Sequence, residues 1–440
     1  MSKIGFISLG CDKNSVDTEK MLELLMSNGH EIVTDESQAE VLVVNSCAFI
    51  NDAKEESINT IIEMGEYKDN NCKYIICCGC LGERYKEEIF TELPEVDAVI
   101  GVHAYERINE VIDRLQKGES KLLVLEKEAI DTTIKRVITT SGHYEYIKIA
   151  EGCNNFCTYC AIPLIRGKYK SRPMEDIINE AKFLADSGVS ELLVVAQEVS
   201  CYGIDLYGEF KLSELVKKIC EIDGIKWIRL LYCYPENVTD DIIDVIKNEE
   251  KVCKYIDIPI QHTTSNILKL MGRRTNHDEI IARIRKLKNE IPDITIRSTL
   301  IVGFPGETEE DFNNLCEDVK DLEIDKLGVF SYSQEENTPA AKFENQIDEE
   351  TKQARKEKVM AIQEKIAEKK SLNHVGKTYE VIVDGYLPED DVYCGRTYMD
   401  IPDVDGIVFF TSDRELIAGD YVKVEIEKSL GYDLEGKEVL

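Results

Sequence analysis

At 440 residues, with 43% hydrophobic and 31% charged side chains, the chain exceeds one ordinary core and reads as two or three globular domains. No run approaches the ~20 apolar residues of a membrane span, and the apolar part of the N-terminus is too short for a signal peptide, so a cytoplasmic protein without a membrane partner is expected. The net charge of −32, from 85 acidic against 53 basic residues, argues against a naked polyanion as main partner, because phosphate contacts call for basic surface.

Residues 1–128 alternate strand and helix. Residues 4–9 read as a buried strand and 17–28 as a helix closed by Gly29. Apolar runs at 41–44, 73–78 and 98–101 add three more strands, with a polar helix running to residue 66 between the first two. Strands separated by helices imply a parallel sheet covered on its faces.

A cysteine follows three of these strands, in Gly10-Cys11, Asn45-Ser-Cys47 and Gly79-Cys80. Ligands of open parallel sheets gather at the carboxyl ends of strands, so Cys11, Cys47 and Cys80 are expected to converge on one edge. Strand period alone does not choose within Cys77-Cys78-Gly-Cys80; Cys80 is preferred because it lies past the strand, behind a glycine. The chain has 15 cysteines. In a reducing compartment clustered ones lean towards metal ligation or catalysis, while scattered ones such as Cys72, Cys220, Cys253 and Cys316 read as small buried hydrophobes.

Residues 129–141 read as a connector. A second alternating series follows, with strands expected at 146–149, 192–196, 227–232, 255–258, 295–302 and 326–330. Six βα units over 142–344 suit an open, partial barrel whose reactive groups sit at the strand C-termini. Residues 345–372 form a charged linker helix with a narrow stripe of Val359, Ile362 and Ile366. From residue 373 the pattern becomes short strands between turns, the mark of a small antiparallel β-barrel. Residues 371–440 hold 6 Lys+Arg against 16 Asp+Glu, a balance of −10.

The stretch Glu151-Gly-Cys-Asn-Asn-Phe-Cys-Thr-Tyr-Cys160 sets Cys153, Cys157 and Cys160 in a C-x3-C-x2-C pattern on a loop leaving the first barrel strand. Zinc is the competing reading, yet a structural zinc site takes four ligands, usually in paired knuckles, and no nearby His or Cys completes this one. Iron–sulfur clusters are held by thiolates. A four-iron cluster with three protein ligands leaves one iron open for a small molecule.

Cys153, Cys157 and Cys160 resemble the hallmark of the radical S-adenosylmethionine superfamily. The resemblance implies a catalytic cluster whose open iron is chelated by S-adenosyl-L-methionine, and one-electron cleavage to a 5′-deoxyadenosyl radical. It implies that Tyr159 approaches the adenine, and that Gln197 and Glu198, ending Val195-Ala-Gln-Glu198, bind the methionine amine. A carboxylate suits an ammonium in a partly dry site; many relatives carry Asp where this chain has Glu198. Ile301 and Gly303, in Ile301-Val-Gly-Phe-Pro-Gly-Glu307, resemble the adenine-contacting strand.

With Cys11, Cys47 and Cys80 upstream and a terminal barrel of TRAM type, the whole chain resembles the methylthiotransferases. That resemblance implies two [4Fe-4S] clusters, an electron donor, and replacement of an unactivated C–H hydrogen by –SCH3. Ser8-Leu-Gly-Cys-Asp-Lys-Asn14, Ile162-Pro-Leu-Ile-Arg-Gly167 and Pro259-Ile-Gln-His262 look like the branch that modifies the β-carbon of an aspartate in the twelfth small-subunit ribosomal protein. The acidic barrel suits a basic ribosomal protein and disfavours tRNA. The alternative is a tRNA adenosine methylthiotransferase, for which Arg166, Lys168, Lys170 and Arg172 offer a basic patch. A non-catalytic RNA-binding or iron–sulfur scaffold protein is the third reading, and two incomplete cysteine triads argue against it.

Overall fold

The computed structural model describes residues 1–126 and 135–439. Its first unit is an all-parallel sheet in the order β2-β1-β3-β4-β5-β6. The strands are β1 (Lys3–Ser8), β2 (Glu31–Val33), β3 (Val41–Ser46), β4 (Tyr74–Gly79), β5 (Ala98–Ile100) and β6 (Leu122–Val124). Two apolar clusters cover its two faces, one built on Leu42, Val44 and Ile75, the other on Val41, Val43 and Ile76. This alternation along neighbouring strands is what a sheet buried on both sides requires. The edge strands β2 and β6 were not anticipated.

The first helix, Asp12–Ser27, begins at Asp12 rather than residue 17. Its first turns carry Lys13, Asn14 and Asp17, all buried. They are polar because they face a second unit, so apolar periodicity could not reveal them. Of the connector expected over 129–141, residues 129–134 lie outside the described residues. Beyond them, Arg136 and Thr139 fasten to Glu19 of the first helix.

The second unit contains β7 (Tyr144–Lys148), a short antiparallel pair β8 (Ala150–Glu151) and β9 (Lys170–Ser171), then β10 (Glu191–Val195), β11 (Trp227–Leu230), β12 (Val252–Asp257), β13 (Thr295–Val302) and β14 (Lys326–Ser331). Six of them form one parallel sheet, β14-β13-β12-β11-β10-β7, the partial (βα)6 barrel expected. Helices cover one face over a core of Ile147, Leu192, Val194, Ile228 and Ile256.

The linker helix, Glu349–Leu372, lays Val359 and Ile366 onto that core, with Ile362 packed beside them. Within the same stripe the buried Gln363 donates to the Ile324 carbonyl at 2.9 Å. The last unit is a closed barrel of β15 (Thr378–Leu387), β16 (Val392–Arg396), β17 (Val408–Thr411), β18 (Tyr421–Leu430) and β19 (Asp433–Val439). Its strands pair antiparallel except β17 and β19, which close the barrel in parallel. β19 sets Gly436 among Asp433, Glu435, Lys437 and Glu438, which blurs its apolar alternation.

This barrel packs against the inward side chains of the half-barrel, Leu193, Val195, Trp227 and Tyr255, through Ile382 and Ile401. Glu191, at the start of β10, holds Arg229 at 2.8 Å and Arg396 of the barrel at 2.7 Å. Several acids counted in the balance of −10 therefore face inward: Asp384 pairs with Arg396, Asp400 with Lys326, and Asp405 accepts from Tyr255. Glu389, Asp390 and Asp391 at a hairpin tip remain exposed.

Candidate functional site: two three-thiol sites at one interface

The strand order of the first unit reverses at β1, which lies between β2 and β3, and such switch points open a crevice at the strand C-termini. Cys11 caps the first helix just past β1, Cys47 follows β3, and Cys80 opens the helix Cys80–Tyr85 directly after β4. Gly10 adopts φ +92°, and a Cβ there would meet the Cys47 Sγ at 3.1 Å, so this turn needs glycine to bring the two thiols together. Burial pushes the Cys80 thiol up to about 12, opposed by Arg166 and reinforced by Cys11 and Cys47. Burial likewise raises Cys47, with Cys11 beside it. Cys77 and Cys78 remain inside β4, in the cores on its two faces.

The second triad lies on the loop after β8. The Cys153 N–H donates to the Gly167 carbonyl at 3.2 Å and the Cys160 N–H to the Cys157 carbonyl at 3.0 Å, folding the loop on itself. Burial raises Cys153 to about 11, with Glu198 and Cys157 close by, and raises Cys160 with Cys157 and Cys153 close by. Among the described residues no three His, Cys, Asp or Glu side chains can share a single metal ion. A cluster makes a different demand, since each thiolate takes its own iron.

Glu198, just beyond β10, is buried and accepts from the Asn155 and Asn237 amides and from the Cys201 thiol at 3.0 Å. Asn155 also reaches the Cys153 Sγ at 3.6 Å, so Glu198 stands beside the loop. Gln197 turns the other way and donates to Glu151 at 2.8 Å, leaving its Oε1 buried without a partner. Tyr159 packs edge-on to Phe304 with 6.5 Å between ring centroids and shares a small apolar cluster with Ile301. Gly303 is placed differently. Its φ is +70°, and a Cβ would meet Lys352 of the linker helix at 2.3 Å, so the glycine is required by helix packing. Its N–H and His262 both turn to Glu307, which Arg355 holds at 2.9 Å.

Arg166 joins the two triads. Its guanidinium donates to Asn14, approaches the Cys80 Sγ at 3.6 Å, and pairs with Asp17 at 2.9 Å and Glu151 at 3.1 Å. Lys148 also bridges Asp17 and Glu151. Burial alone would raise the Glu151 carboxyl, but Arg166 and Lys148 hold it well below the usual carboxylate range. Arg172 is buried too and pairs with Glu180 at 2.5 Å. The basic patch expected from Arg166, Lys168, Lys170 and Arg172 is thus half consumed inside the protein, leaving Lys168 and Lys170 exposed.

Sequence reasoning missed Glu151, Arg273 and Tyr232. Arg273 is buried against the Tyr234 ring, 4.2 Å from its centroid, with Tyr159 and Cys157 close by, and its Nε and Nη1 lack partners. Tyr232, at φ +60°, donates to Asp12 at 3.2 Å across the interface. Only Glu151 carried a local signal, its place two residues before Cys153.

Three family patterns match the chain: the uncharacterized protein family UPF0004 over residues 3–101, the radical SAM superfamily over 147–319 and the TRAM domain over 375–439. A protein of Lachnoclostridium phytofermentans named ribosomal protein uS12 methylthiotransferase RimO is 52% identical over 436 residues, spanning 99% of each chain. The chain belongs to the RimO family. A RimO of Acetivibrio thermocellus is 49% identical across 99% of this chain and 98% of its own. Among solved structures, the radical S-adenosylmethionine methyltransferase TsrM of Kitasatospora setae, solved with cobalamin and a [4Fe-4S] cluster bound, superposes with a TM-score of 0.59. That match has 14% identity and covers 77% of each chain, which speaks for the fold alone.

Proposed function

We propose that this protein is a radical S-adenosylmethionine methylthiotransferase that places a methylthio group on the β-carbon of an aspartate in ribosomal protein uS12. The observation that carries this reading is the pair of three-thiol sites meeting at one interface, with Arg166 touching Cys80 on one side and Glu151 of the other loop. Identity of about half the residues with RimO proteins along the full chain supports the same activity and substrate.

The donor set fits two iron–sulfur clusters. Burial raises the thiols of Cys47 and Cys80 in one site and of Cys153 and Cys160 in the other, and such thiols become thiolates only against a compensating positive charge, as ligated iron provides. Cys153, Cys157 and Cys160 would hold the cluster that works with S-adenosyl-L-methionine, and Cys11, Cys47 and Cys80 a second. Bound there, these groups supply the one-electron chemistry that removes an unactivated hydrogen, and the methyl group that caps the sulfur.

The protein's own residues orient and exclude. Glu198, braced by two amides and a thiol, presents a carboxylate to an ammonium beside Cys153. Arg273, with two unpartnered nitrogens, is the buried cation available for a carboxylate near Tyr159. Tyr159, Ile301 and Phe304 form the apolar wall. Asn14, Asp17, Lys148 and Arg166 keep the interface between the two sites packed with satisfied charge rather than water. An electron donor must deliver the reducing equivalent. Burial of Arg166 and Arg172 removes half the patch that would favour tRNA, which supports the ribosomal-protein substrate.

The test is an anaerobic reaction of the reconstituted enzyme with S-adenosylmethionine and a reductant, offered a uS12 peptide containing the target aspartate and bulk tRNA side by side. The peptide should gain the mass of a methylthio group in place of hydrogen. A gain on tRNA alone would overturn the substrate assignment.

A further inference from the structure

Between Cys11 and the half-barrel sits a compact cluster that the reading above leaves unused. Lys13, only 6% exposed, holds its ammonium 3.2 Å from the centroid of the Tyr232 ring and 3.1 Å from Asp12 Oδ1. The Tyr232 hydroxyl donates to that same oxygen at 3.2 Å. Asp12 Oδ2 is buried with no partner. Tyr232 is fixed as a platform, since its backbone N–H donates to Asp257 at 2.9 Å while its φ of +60° is one a bulky residue rarely adopts.

An ammonium has three N–H donors. One goes to Asp12 and one face rests on an aromatic ring, so a donor remains. The other cations around this crevice are committed: Arg166 and Lys148 to Asp17 and Glu151, and Arg297 towards Asp257 and Asp405. Arg273 lies on the Cys157 side. In a chain of net charge −32, an incoming carboxylate needs a local cation to enter a dry crevice at all.

We propose that Lys13 recognises the side-chain carboxylate of the substrate aspartate, with Asp12 Oδ2 available to an N–H of the same residue. The inference rests on the uS12 reading and deepens it. An aspartyl residue offers both complements, a carboxylate for the ammonium and a backbone N–H for the orphan oxygen. The carboxyl carbon is bonded to the β-carbon, so a clamp on the carboxylate fixes the reacting carbon one bond away, beside Cys11. Lys13 is then a specificity-determining residue that touches substrate without touching the transferred group.

The experiment compares wild type, Lys13→Gln and Lys13→Arg on two uS12 peptides, one with the target aspartate and one with asparagine there, reading modification rate and peptide binding. Wild type should favour the aspartate peptide in binding by at least about tenfold, as a charge-assisted contact in a dry site implies. Lys13→Gln should raise KM for the aspartate peptide by a similar factor and bring the preference close to one, and Lys13→Arg should restore part of it. Iron content and melting temperature check that each variant is intact. Wild type that binds both peptides equally well would overturn the inference without recourse to any variant, as would Lys13→Gln with an undiminished preference. Failure of wild type to modify any uS12 peptide would instead remove the parent reading.

Discussion

The two cysteine triads are built in opposite ways. Cys153, Cys157 and Cys160 fall within eight consecutive positions of one loop, held by backbone hydrogen bonds to Gly167 and Cys157. Cys11, Cys47 and Cys80 come from three strand ends and meet only because β1, β3 and β4 are neighbours in a parallel sheet. The local triad keeps its spacing whatever the rest of the chain does, whereas the dispersed triad exists only when the sheet has formed. Arg166, six residues after Cys160, ties the two together by reaching Cys80 and Asn14.

The sharpest break in this comparison is to remove one thiol from each site. Under the proposed function Cys157→Ala should abolish 5′-deoxyadenosine formation, a loss of at least about a hundredfold, because the cluster assigned to this loop would lose a ligand. Cys11→Ala should leave 5′-deoxyadenosine formation in place and stop methylthiolation. Iron analysis accompanies both, and the proposed two clusters should give about eight irons per reconstituted wild-type chain and about half that in either variant. A Cys11→Ala enzyme that still methylthiolates its substrate would show that the dispersed triad holds no essential group.

Cutting the tie comes next. Arg166→Met leaves Asp17 and Glu151 with Lys148 as their shared cation and should cost about 3–5 kcal/mol, the usual result of halving a buried ion network. Arg166→Lys should rescue little, because one ammonium lacks the fork that serves Asn14, Cys80, Asp17 and Glu151 together. Denaturant midpoints measure both. The loss should fall on the first and second units alike, since the network spans them.

The smallest expected effect concerns Glu180, which anchors Arg172 and Arg136 behind the interface. Burial would raise its carboxyl, but these arginines lower it to about 2, below the roughly 4.3 of an unfolded glutamate. A depressed folded pKa gives stability that is present above the unfolded value and lost as pH falls through the folded one. Glu180→Gln should therefore be less stable than wild type by about 3 kcal/mol near neutrality. The gap should close as pH drops from about 4 to 2. A gap independent of pH would mean that the glutamate acts by packing rather than by charge.

Much of this architecture was legible in the linear chain. The strand ends before Cys11, Cys47 and Cys80, the loop of Cys153 to Cys160, the six-stranded half-barrel and the stripe of Val359, Ile362 and Ile366 all follow from local patterns of apolar and turn residues. Those patterns reflect which side chains avoid water, a property each residue carries by itself. What only the tertiary structure decided is the polar matter between the units. Lys13 and Asn14 fell before the helix expected from residue 17, and Arg166 and Arg172 in a basic patch, whereas the packing of the half-barrel buries them all. Gly303, expected near the adenine, also makes room for Lys352, which only the packing of the linker helix shows. A charged side chain has the same sequence signature in solvent and in a buried network. Only its partners distinguish the two, and for Lys13, Asn14 and Asp17 the partners across the interface, Tyr232, Arg166 and Lys148, lie more than a hundred residues away.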